Sequence, residues 1–376
     1  MAIRVPPAIG LAAHLVQGAQ RVATDAVAGS TRAIPRSVSG LDAEYLSQLM
    51  GMTITSVSVI GGDAGTSSRT RLALTGQGVP DSVFVKMPAR TAATRLMGEL
   101  GRLGETEVRF YTNLSAELRG VPKSYGAAFD GLTGRYVIVL EDLPADECEF
   151  LDTLHPIEPD KAGLLVELLA RLHATFWGRL PEHGDTGPLG WVYSASGDDT
   201  SLLTGSLLKQ STKRLAERTS IPVGNGRFID ENYRAIAQLT DTGTHTIMHG
   251  DAHPGNVYFR NGAAGLLDWQ AVRRGHPSRE LAYTLITGMT TEDRRAHQRD
   301  LLDQYRGALA AAGGPELDRE ELWTRYRQAA QYAYAAPVIT AGMGGMQDDD
   351  IALEGVRRGV AALEDLDTVA VLRSYL

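Results

Sequence analysis

Cysteine is all but missing from this chain: Cys148 stands alone among 376 residues. A lone thiol forms no internal disulfide and leaves no thiol cluster for zinc, so a reducing cytoplasm is the simplest setting. Basic residues fall short too, with 37 Lys and Arg against 45 Asp and Glu and a formal net charge of -8. A protein that grips nucleic acid by releasing counterions needs the opposite excess, so no nucleic-acid partner is expected. No apolar run approaches the roughly 18 residues that suggest a membrane span, and no internal repeat or low-complexity linker breaks the pattern. What is present is bulk. A chain this long and 43% hydrophobic can bury a sizeable core and would ordinarily form two domains or lobes.

The chemistry concentrates in His249-Gly250-Asp251-Ala252-His253-Pro254-Gly255-Asn256, followed by Leu266-Leu267-Asp268-Trp269-Gln270. Ile247 and Met248 lead in, Val257, Tyr258 and Phe259 lead out, and Asn261-Gly262 supplies a hairpin-type turn. This reads as strand, tight loop, short strand, turn and strand, with Asp251, Asn256 and Asp268 converging at one end. Two carboxylates and a carboxamide are hard oxygen ligands, suited to magnesium held together with phosphates. In kinase-type phosphoryl transfer an Asp accepts the hydroxyl proton, while a following Asn and a further Asp hold the metal ions.

On these residues the chain resembles the aminoglycoside phosphotransferase/choline kinase-like family, whose signature is H-G-D-x-x-x-x-N followed by (I/L)-D-(F/W). The next segment, from Ala271 through Arg273, Arg274 and His276-Pro277 to Glu280-Leu281-Ala282-Tyr283, looks most like the ecdysteroid-kinase-like branch. The resemblance implies an α+β, two-lobed protein-kinase-like fold. It has a small antiparallel-sheet N-lobe with one main helix and a larger, mainly helical C-lobe. The expected division is an N-terminal extension over 1–40, a helix strapped across the body or a frayed end in preference to a peripheral membrane or partner helix, an N-lobe over 41–143 and a C-lobe over 144–376.

In chain order, 41–50 shows helical spacing and 53–60 alternates like a strand, with a partner at 69–75. Residues 61–68 between them read as a glycine-rich loop. Gly62 and Gly65 would let backbone amides approach phosphate, and Thr66, Ser67 and Ser68 would add donors. The loop departs from the protein-kinase G-x-G-x-x-G, and turns use the same residues. Lys86 then sits inside an apolar strand over 82–87, where an unpaired charge is costly. By resemblance Lys86 grips the nucleotide phosphates and pairs with Glu107, which the E-x-x-F-Y pattern marks; Glu105 and Glu99 are competing partners. The resemblance also places a hinge at Glu141-Asp142-Leu143-Pro144, where backbone groups near Glu141 and Leu143 meet the purine and the acidic side chains lie at the surface or near the ribose.

Beyond the hinge, Pro159 suits a helix start and Leu165, Leu168, Leu169, Leu172 and Phe176 form a helical stripe. His173 beside that stripe reads as a satisfied core residue. Residues 182–200 read as an extended loop carrying Trp191 and Tyr193, a candidate acceptor wall. Arg273 and Arg274 fit an anion contact or a solvated turn. Asp318 and Glu321 have capping spacing; Trp323, Tyr332 and Tyr334 fit a pocket lining or plain packing. Asp348, Asp349 and Asp350 read as a solvated helix start or a cation attractor, ahead of one last helix over 351–372.

The expected reaction is direct transfer of the γ-phosphoryl group of ATP, with GTP not excluded, to a hydroxyl of a small organic acceptor. Asp251 is the base, Asn256 and Asp268 hold Mg2+, and Lys86, set by Glu107, clamps the phosphates. His249 reads as a scaffold of the loop, and His253 as a brace. The alternative is a catalytically silent kinase-like module that binds nucleotide or a partner. Protein phosphorylation ranks lower, since Gly250 replaces the arginine of H-R-D and no A-P-E-like segment follows Asp268. Aminoglycosides, choline-like compounds, sugars and apolar or polycyclic alcohols all stay open as acceptors, with a tilt to the last. The sequence is silent on oligomeric state.

Overall fold

The alternation of Val83, Val85 and Met87 with polar neighbours decides how the first part of the chain folds. These side chains point to one face of β3 (Ser82–Pro88) and are buried at 0, 0 and 2% exposure. The computed structural model describes residues 6–28, 33–64, 67–181, 187–345 and 347–376. The chain divides into two compact units. One takes the chain through Glu117, then 121–147 and 268–271; the other takes 118–120, 148–267 and 272–376.

In the first unit α1 (Pro7–Ala28) and α2 (Ala43–Met50) precede β1 (Thr53–Ala64), β2 (Ser67–Gln77) and β3. Next come α3 (Ala92–Leu100), α4 (Leu103–Asn113), β4 (Ser124–Asp130) and β5 (Arg135–Glu141). The strands form an antiparallel sheet in the order β1-β2-β3-β5-β4. Its apolar face packs Leu72, Leu74, Val83, Val85, Val137 and Val139 against Leu46 and Met50 of α2. Asp42 caps α2 by accepting the Tyr45 N–H at 2.8 Å, and Gly51 ends it at φ +66°. The N-terminal extension does form a helix, and it is pinned. Arg21 donates to Glu99 and Glu105 and to the Gly131 carbonyl, while Asp25 pairs with Arg95 and Arg135.

The glycine-rich loop is shorter than the sequence indicates. β1 runs on through Gly61 and Gly62 to Ala64, and β2 already holds Ser67 and Ser68, paired with Pro88 and Met87 of β3. Gly62 is needed inside the hairpin rather than at its tip. At φ +154° it faces β2 so closely that a Cβ would lie 2.5 Å from the Arg69 carbonyl oxygen. Ser67 and Ser68 are buried strand residues, at 4 and 8% exposure. Gly65 and Thr66 lie outside the described residues.

The second unit is mostly helical. It holds β6 (Cys148–Phe150), α5 (Pro159–Phe176), α6 (Ser201–Arg218), α7 (Arg227–Thr240), β7 (Thr246–Met248), β8 (Val257–Arg260), β9 (Ala263–Leu266) and β10 (Arg273–Gly275). α8 (Ser278–Gly288), α9 (Thr291–Ala311), α10 (Arg319–Met343), α11 (Asp349–Asp365) and α12 (Thr368–Tyr375) complete it. Pro159 opens α5, whose Leu165, Val166, Leu169, Leu172 and Phe176 are all buried. Small sheets, β6-β8-β9 and β10-β7, carry the loop segments. The expected last helix is in fact two: Asp367, at φ +47°, breaks the helical path between α11 and α12. Asp349 and Asp350 lie exposed in the first turn of α11, and Asp318 caps α10 through the Glu321 N–H at 2.8 Å. Residues 182–186 of the expected loop lie outside the described residues; further on, Leu189 and Val192 turn inward and are buried. Among the described residues no helix is long and apolar enough to cross a membrane.

Candidate active site

Lys86 stands on β3 between the buried Val85 and Met87, yet faces the other side of the sheet, where it needs compensation. It finds two carboxylates. Its Nζ donates to Glu107 at 2.7 Å and to Asp268 Oδ1 at 2.8 Å. Lys86 is 3% exposed and Glu107 1%, so the cation and this carboxylate are stripped of water together. Glu107 comes from α4; Glu99 and Glu105 are engaged instead with Arg21. Burial works against the ammonium, but Asp268 and Glu107 outweigh it and hold the lysine charged, its pKa above the usual lysine range. Burial also pushes Glu107 up, to about 7, despite the opposing Lys86 charge, and the Asp268 charge adds to the rise.

Asp268 reaches this lysine from a strained backbone, at φ +59°. The next residue explains how that is held: Trp269 stacks flat on Phe110 of α4, with centroids 3.9 Å apart and planes 5° apart. Trp269 is 1% exposed. The Phe110 of the E-x-x-F-Y pattern therefore docks the Asp268 segment to the helix that carries Glu107. Burial raises the pKa of the Tyr136 phenol beside Lys86, and the neighbouring Ser67, one of the expected phosphate donors, acts against that rise.

At the expected hinge, Glu141 closes β5 and its N–H donates to the Lys123 carbonyl at 2.8 Å. Leu143 follows, half-buried. Asp142 does not lie at the surface. Its carboxylate, 4% exposed, accepts from Ser82 Oγ at 2.7 Å and from the Arg71 guanidinium at 2.9 Å, tying strands β2, β3 and β5 together.

In the second unit the chain from His249 to Asn256 leaves β7, turns at Gly250 (φ +86°) and enters β8 through a short 3-10 turn. Most amides of the turn have a named partner. Glu280, at the start of α8, accepts the Gly250 N–H at 2.7 Å through Oε1 and the His249 N–H at 3.1 Å through Oε2. His173 Nε2 lies 2.9 Å from the same Oε2, and His173 Nδ1 lies 2.9 Å from the Tyr305 hydroxyl. Burial opposes the Glu280 charge, but His173, His249 and the Gly250 amide outweigh it and hold its pKa below the ordinary carboxylate value. His173 is thus a satisfied core residue that also braces the carboxylate anchoring the loop. His249 Nδ1 accepts the Asp251 N–H at 3.2 Å, which leaves Nε2 to donate to the Leu267 carbonyl at 2.7 Å. The histidine is a scaffold.

The Asp251 carboxylate is aimed from two sides. Tyr283 donates its hydroxyl to Oδ1 at 2.9 Å, and Asn256 donates Nδ2 to Oδ2 at 3.3 Å and to the Asp251 carbonyl at 2.9 Å. Burial, and then the Asp251 charge, push the Tyr283 phenol well above its usual pKa, so it stays a donor. His253 Nε2 stands 3.8 Å from Asp251 Oδ2, with Nδ1 taking the Gly255 N–H. Asn256 commits its nitrogen to the loop, and its side-chain oxygen makes no hydrogen bond among the described residues. Leu267 donates its N–H to the Asn256 carbonyl at 2.8 Å, and the next residue is Asp268.

The residue types fit magnesium in chemistry: the amide oxygen of Asn256 in the second unit and the carboxylate of Asp268 in the first are each hard ligands. Among the described residues no group of three or more His, Cys, Asp or Glu forms a cage by itself. A kinase-type site needs none, because magnesium is bound by one or two side chains plus substrate phosphates.

Sequence reasoning passed over the roles of Glu280, Tyr283 and Tyr332. The first two stand three residues apart on α8, one helical turn that puts both on the side of the loop. Tyr332, on α10, donates its hydroxyl to the Gly250 carbonyl at 3.1 Å, and Tyr334 two residues on is core. Arg273 and Arg274 lie in β10, with Arg274 donating to the Pro181 carbonyl, rather than in a solvated turn. Trp323 stacks on Tyr326 beneath Arg299, which is packing.

Several solved structures are similar to this chain in fold. A protein from Ralstonia eutropha assigned to the aminoglycoside phosphotransferases matches with a TM-score of 0.55 and 17% identity over 88% of this chain and 98% of its own. A choline kinase from Cryptosporidium parvum matches with a TM-score of 0.52 and 9% identity, over 94 and 99%. A mutant of aminoglycoside 2'-phosphotransferase-IIIa in complex with GDP matches with a TM-score of 0.50 and 13% identity, over 86 and 95%. At such identities these likenesses speak for the fold, a kinase-like phosphotransferase architecture. No curated protein matches the chain by sequence. The family model described as the phosphotransferase enzyme family matches residues 59–328, a stretch that contains Lys86, Glu107, Asp251, Asn256 and Asp268. The chain belongs to the phosphotransferase enzyme family.

Proposed function

We propose that this phosphotransferase is a small-molecule kinase that moves the γ-phosphoryl group of ATP to a hydroxyl of an organic acceptor, with magnesium as cofactor. The observation that carries the reading is the aimed carboxylate of Asp251, held by Tyr283 and Asn256 on a loop that Glu280 anchors. The acceptor oxygen attacks the γ-phosphorus and its proton passes to Asp251. The bond from the γ-phosphorus to the bridging oxygen breaks, and ADP leaves. Lys86, fixed by Glu107, neutralises phosphate charge as it redistributes. Asn256 and Asp268 would hold magnesium, which would supply further neutralisation of the phosphates. In a loose transition state these groups act by position and charge more than by basicity.

The nucleotide base contacts are assigned to backbone around Glu141 and Leu143. The phosphates go to the hairpin that includes Gly62, Gly65, Thr66, Ser67 and Ser68, with Ser67 and Ser68 contributing chiefly through backbone, given their burial. GTP stays open as donor; a structural relative is a GDP complex. The aromatic pair Tyr283 and Tyr332, 5.1 Å apart beside the loop, supports an apolar or polycyclic alcohol as acceptor. So does the likeness to the ecdysteroid-kinase-like branch. The lone, buried Cys148 supports a cytoplasmic setting.

Calorimetric titration of ATP and GTP with and without magnesium, followed by turnover of Asp251→Asn, tests the reading. Magnesium-dependent binding is expected, with turnover lowered by roughly two to four decades in the variant, the range for a positioned acid or base. Binding of neither nucleotide would leave a silent module as the better account.

A further inference from the structure

Arg279 sits half-buried on α8 between Ser278 and the loop anchor Glu280, and its surroundings differ from those of the buried arginines of its unit. Arg294 meets Asp365 and Gln298, and Arg358 meets Glu354 and the carbonyls of Thr287 and Thr153. Arg279 has no such match. Its Nη1 is shut off from solvent and has no hydrogen-bond partner, and no carboxylate pairs with the guanidinium among the described residues. Asp241 is close enough for its charge to be felt, but its Oδ2 accepts the Ser196 N–H at 2.6 Å. The main compensation is Tyr332, over whose ring the guanidinium lies 3.9 Å from the centroid. Burial works against the guanidinium, but Tyr332, Tyr233 and Asp241 outweigh it and hold Arg279 charged, so what stays open is the Nη1 donor position, not the charge.

The position of this cation matters. Tyr332 hydrogen-bonds the Gly250 carbonyl, and its ring is 5.1 Å from that of Tyr283, which holds the Asp251 carboxylate. The guanidinium therefore lies one aromatic pair away from the proposed base. A planar fork of donors with an unfilled position is matched by a carboxylate or a phosphate, which also cancels the charge. We propose that Arg279 binds an anionic group of the acceptor, so that the substrate is a polycyclic or otherwise largely apolar alcohol that also carries a carboxylate or phosphate. This rests on Asp251 being the group that meets the acceptor hydroxyl.

The test begins with ADP and magnesium, titrated into wild type to establish the nucleotide site separately. With that site saturated, inorganic phosphate, phenylacetate and the uncharged phenylacetamide are titrated into wild type, Arg279→Gln and Arg279→Lys. At least one anion is expected to bind wild type and to weaken about ten- to a hundredfold in Arg279→Gln, the loss of hydrogen bonds to a charged group. Arg279→Lys should recover part of that affinity, while the amide does not distinguish wild type from Arg279→Gln. Because Arg279 is half-buried and makes no ion pair with a carboxylate among the described residues, Arg279→Gln is expected to melt close to wild type. If ADP binds but neither anion does, or if anion affinity survives Arg279→Gln, the assignment is wrong while the kinase reading stands. A lowered melting temperature with unchanged anion binding would mark Arg279 as a structural support of Tyr332.

Discussion

Asp251 owes its aim to a residue 32 positions further along the chain. The Tyr283 hydroxyl reaches Oδ1 at 2.9 Å, whereas Asn256, inside the motif, reaches Oδ2 at the longer 3.3 Å. Removing the tyrosine hydroxyl should let the carboxylate turn without emptying the nucleotide site. For Tyr283→Phe we expect turnover to fall about tenfold, in keeping with a lost hydrogen bond to a charged group at roughly 1.5 kcal/mol. The KM for ATP should stay within twofold, about the scatter expected of an untouched contact. Steady-state kinetics decide this, and a rise in KM for ATP at constant turnover would contradict the positioning role. Legibility at this scale follows distance along the chain. Asp251 and Asn256 stand out because a reaction imposes their spacing, and Lys86 because a cation in an apolar strand demands a partner. Glu107 had rivals in Glu99 and Glu105, and only the third dimension shows Arg21 engaging those two. Tyr283 carries no such mark, because a tyrosine on a buried helix face is ordinary packing until its hydroxyl finds a charge.

Among the elements, α8 is the one that makes the loop a rigid object. Its first turn places Glu280 beneath two loop amides and its second places Tyr283 beside the carboxylate. Glu280 is 1% exposed on its side chain and is paired to His173, so its loss leaves amides and an imidazole unsatisfied in the interior. Breaking such a buried pair costs about 3–5 kcal/mol, and Glu280→Gln should melt well below wild type at neutral pH. The pH dependence has a definite sign. Glu280 has a folded-state pKa depressed below its ordinary 4.5, so its ionised form stabilises the fold above that value. The contribution is lost as pH falls through the depressed folded value. Melting curves of both proteins from pH 7 to pH 3 should therefore converge towards the acid end. A gap that stays constant with pH would mean that Glu280 works through packing and not through charge. Elements were legible where the pattern was periodic, as in β3 and α5. They were misread where backbone conformation decides. The hairpin runs through Gly62 because a missing Cβ lets strands close up, and the final helix splits at Asp367 on a left-handed residue that no periodicity announces.

On the scale of the whole chain, the two-lobed kinase-like class was readable because one motif pair is tied to one architecture, and the family match covers the same ground. The first forty residues were not readable in this way, since weak amphipathicity suits a strap and a frayed end equally. In the structure α1 is a strap with a specific grip. Arg21, its side chain 10% exposed, holds Glu99 of α3 at 3.0 Å and Glu105 of α4 at 3.1 Å, and also donates to the Gly131 carbonyl between β4 and β5. Glu105 lies on the helix that carries Glu107, two residues before it, so the strap steadies the helix that sets Lys86. Neither ion pair is fully buried, and losing both should cost about 1.5–3 kcal/mol, a few degrees of melting temperature for a unit of this size. The functional effect should be selective. In Arg21→Met, α4 gains freedom, Lys86 is held less firmly, and the Kd for ATP with magnesium should rise several-fold. Turnover at saturating ATP should fall much less, because bound phosphates restore the lysine's position and the Asp251 loop belongs to other elements. Calorimetry and steady-state kinetics on the one variant separate these quantities. Equal losses in nucleotide affinity and saturated turnover would show that α1 supports the fold in general and does not act through α4.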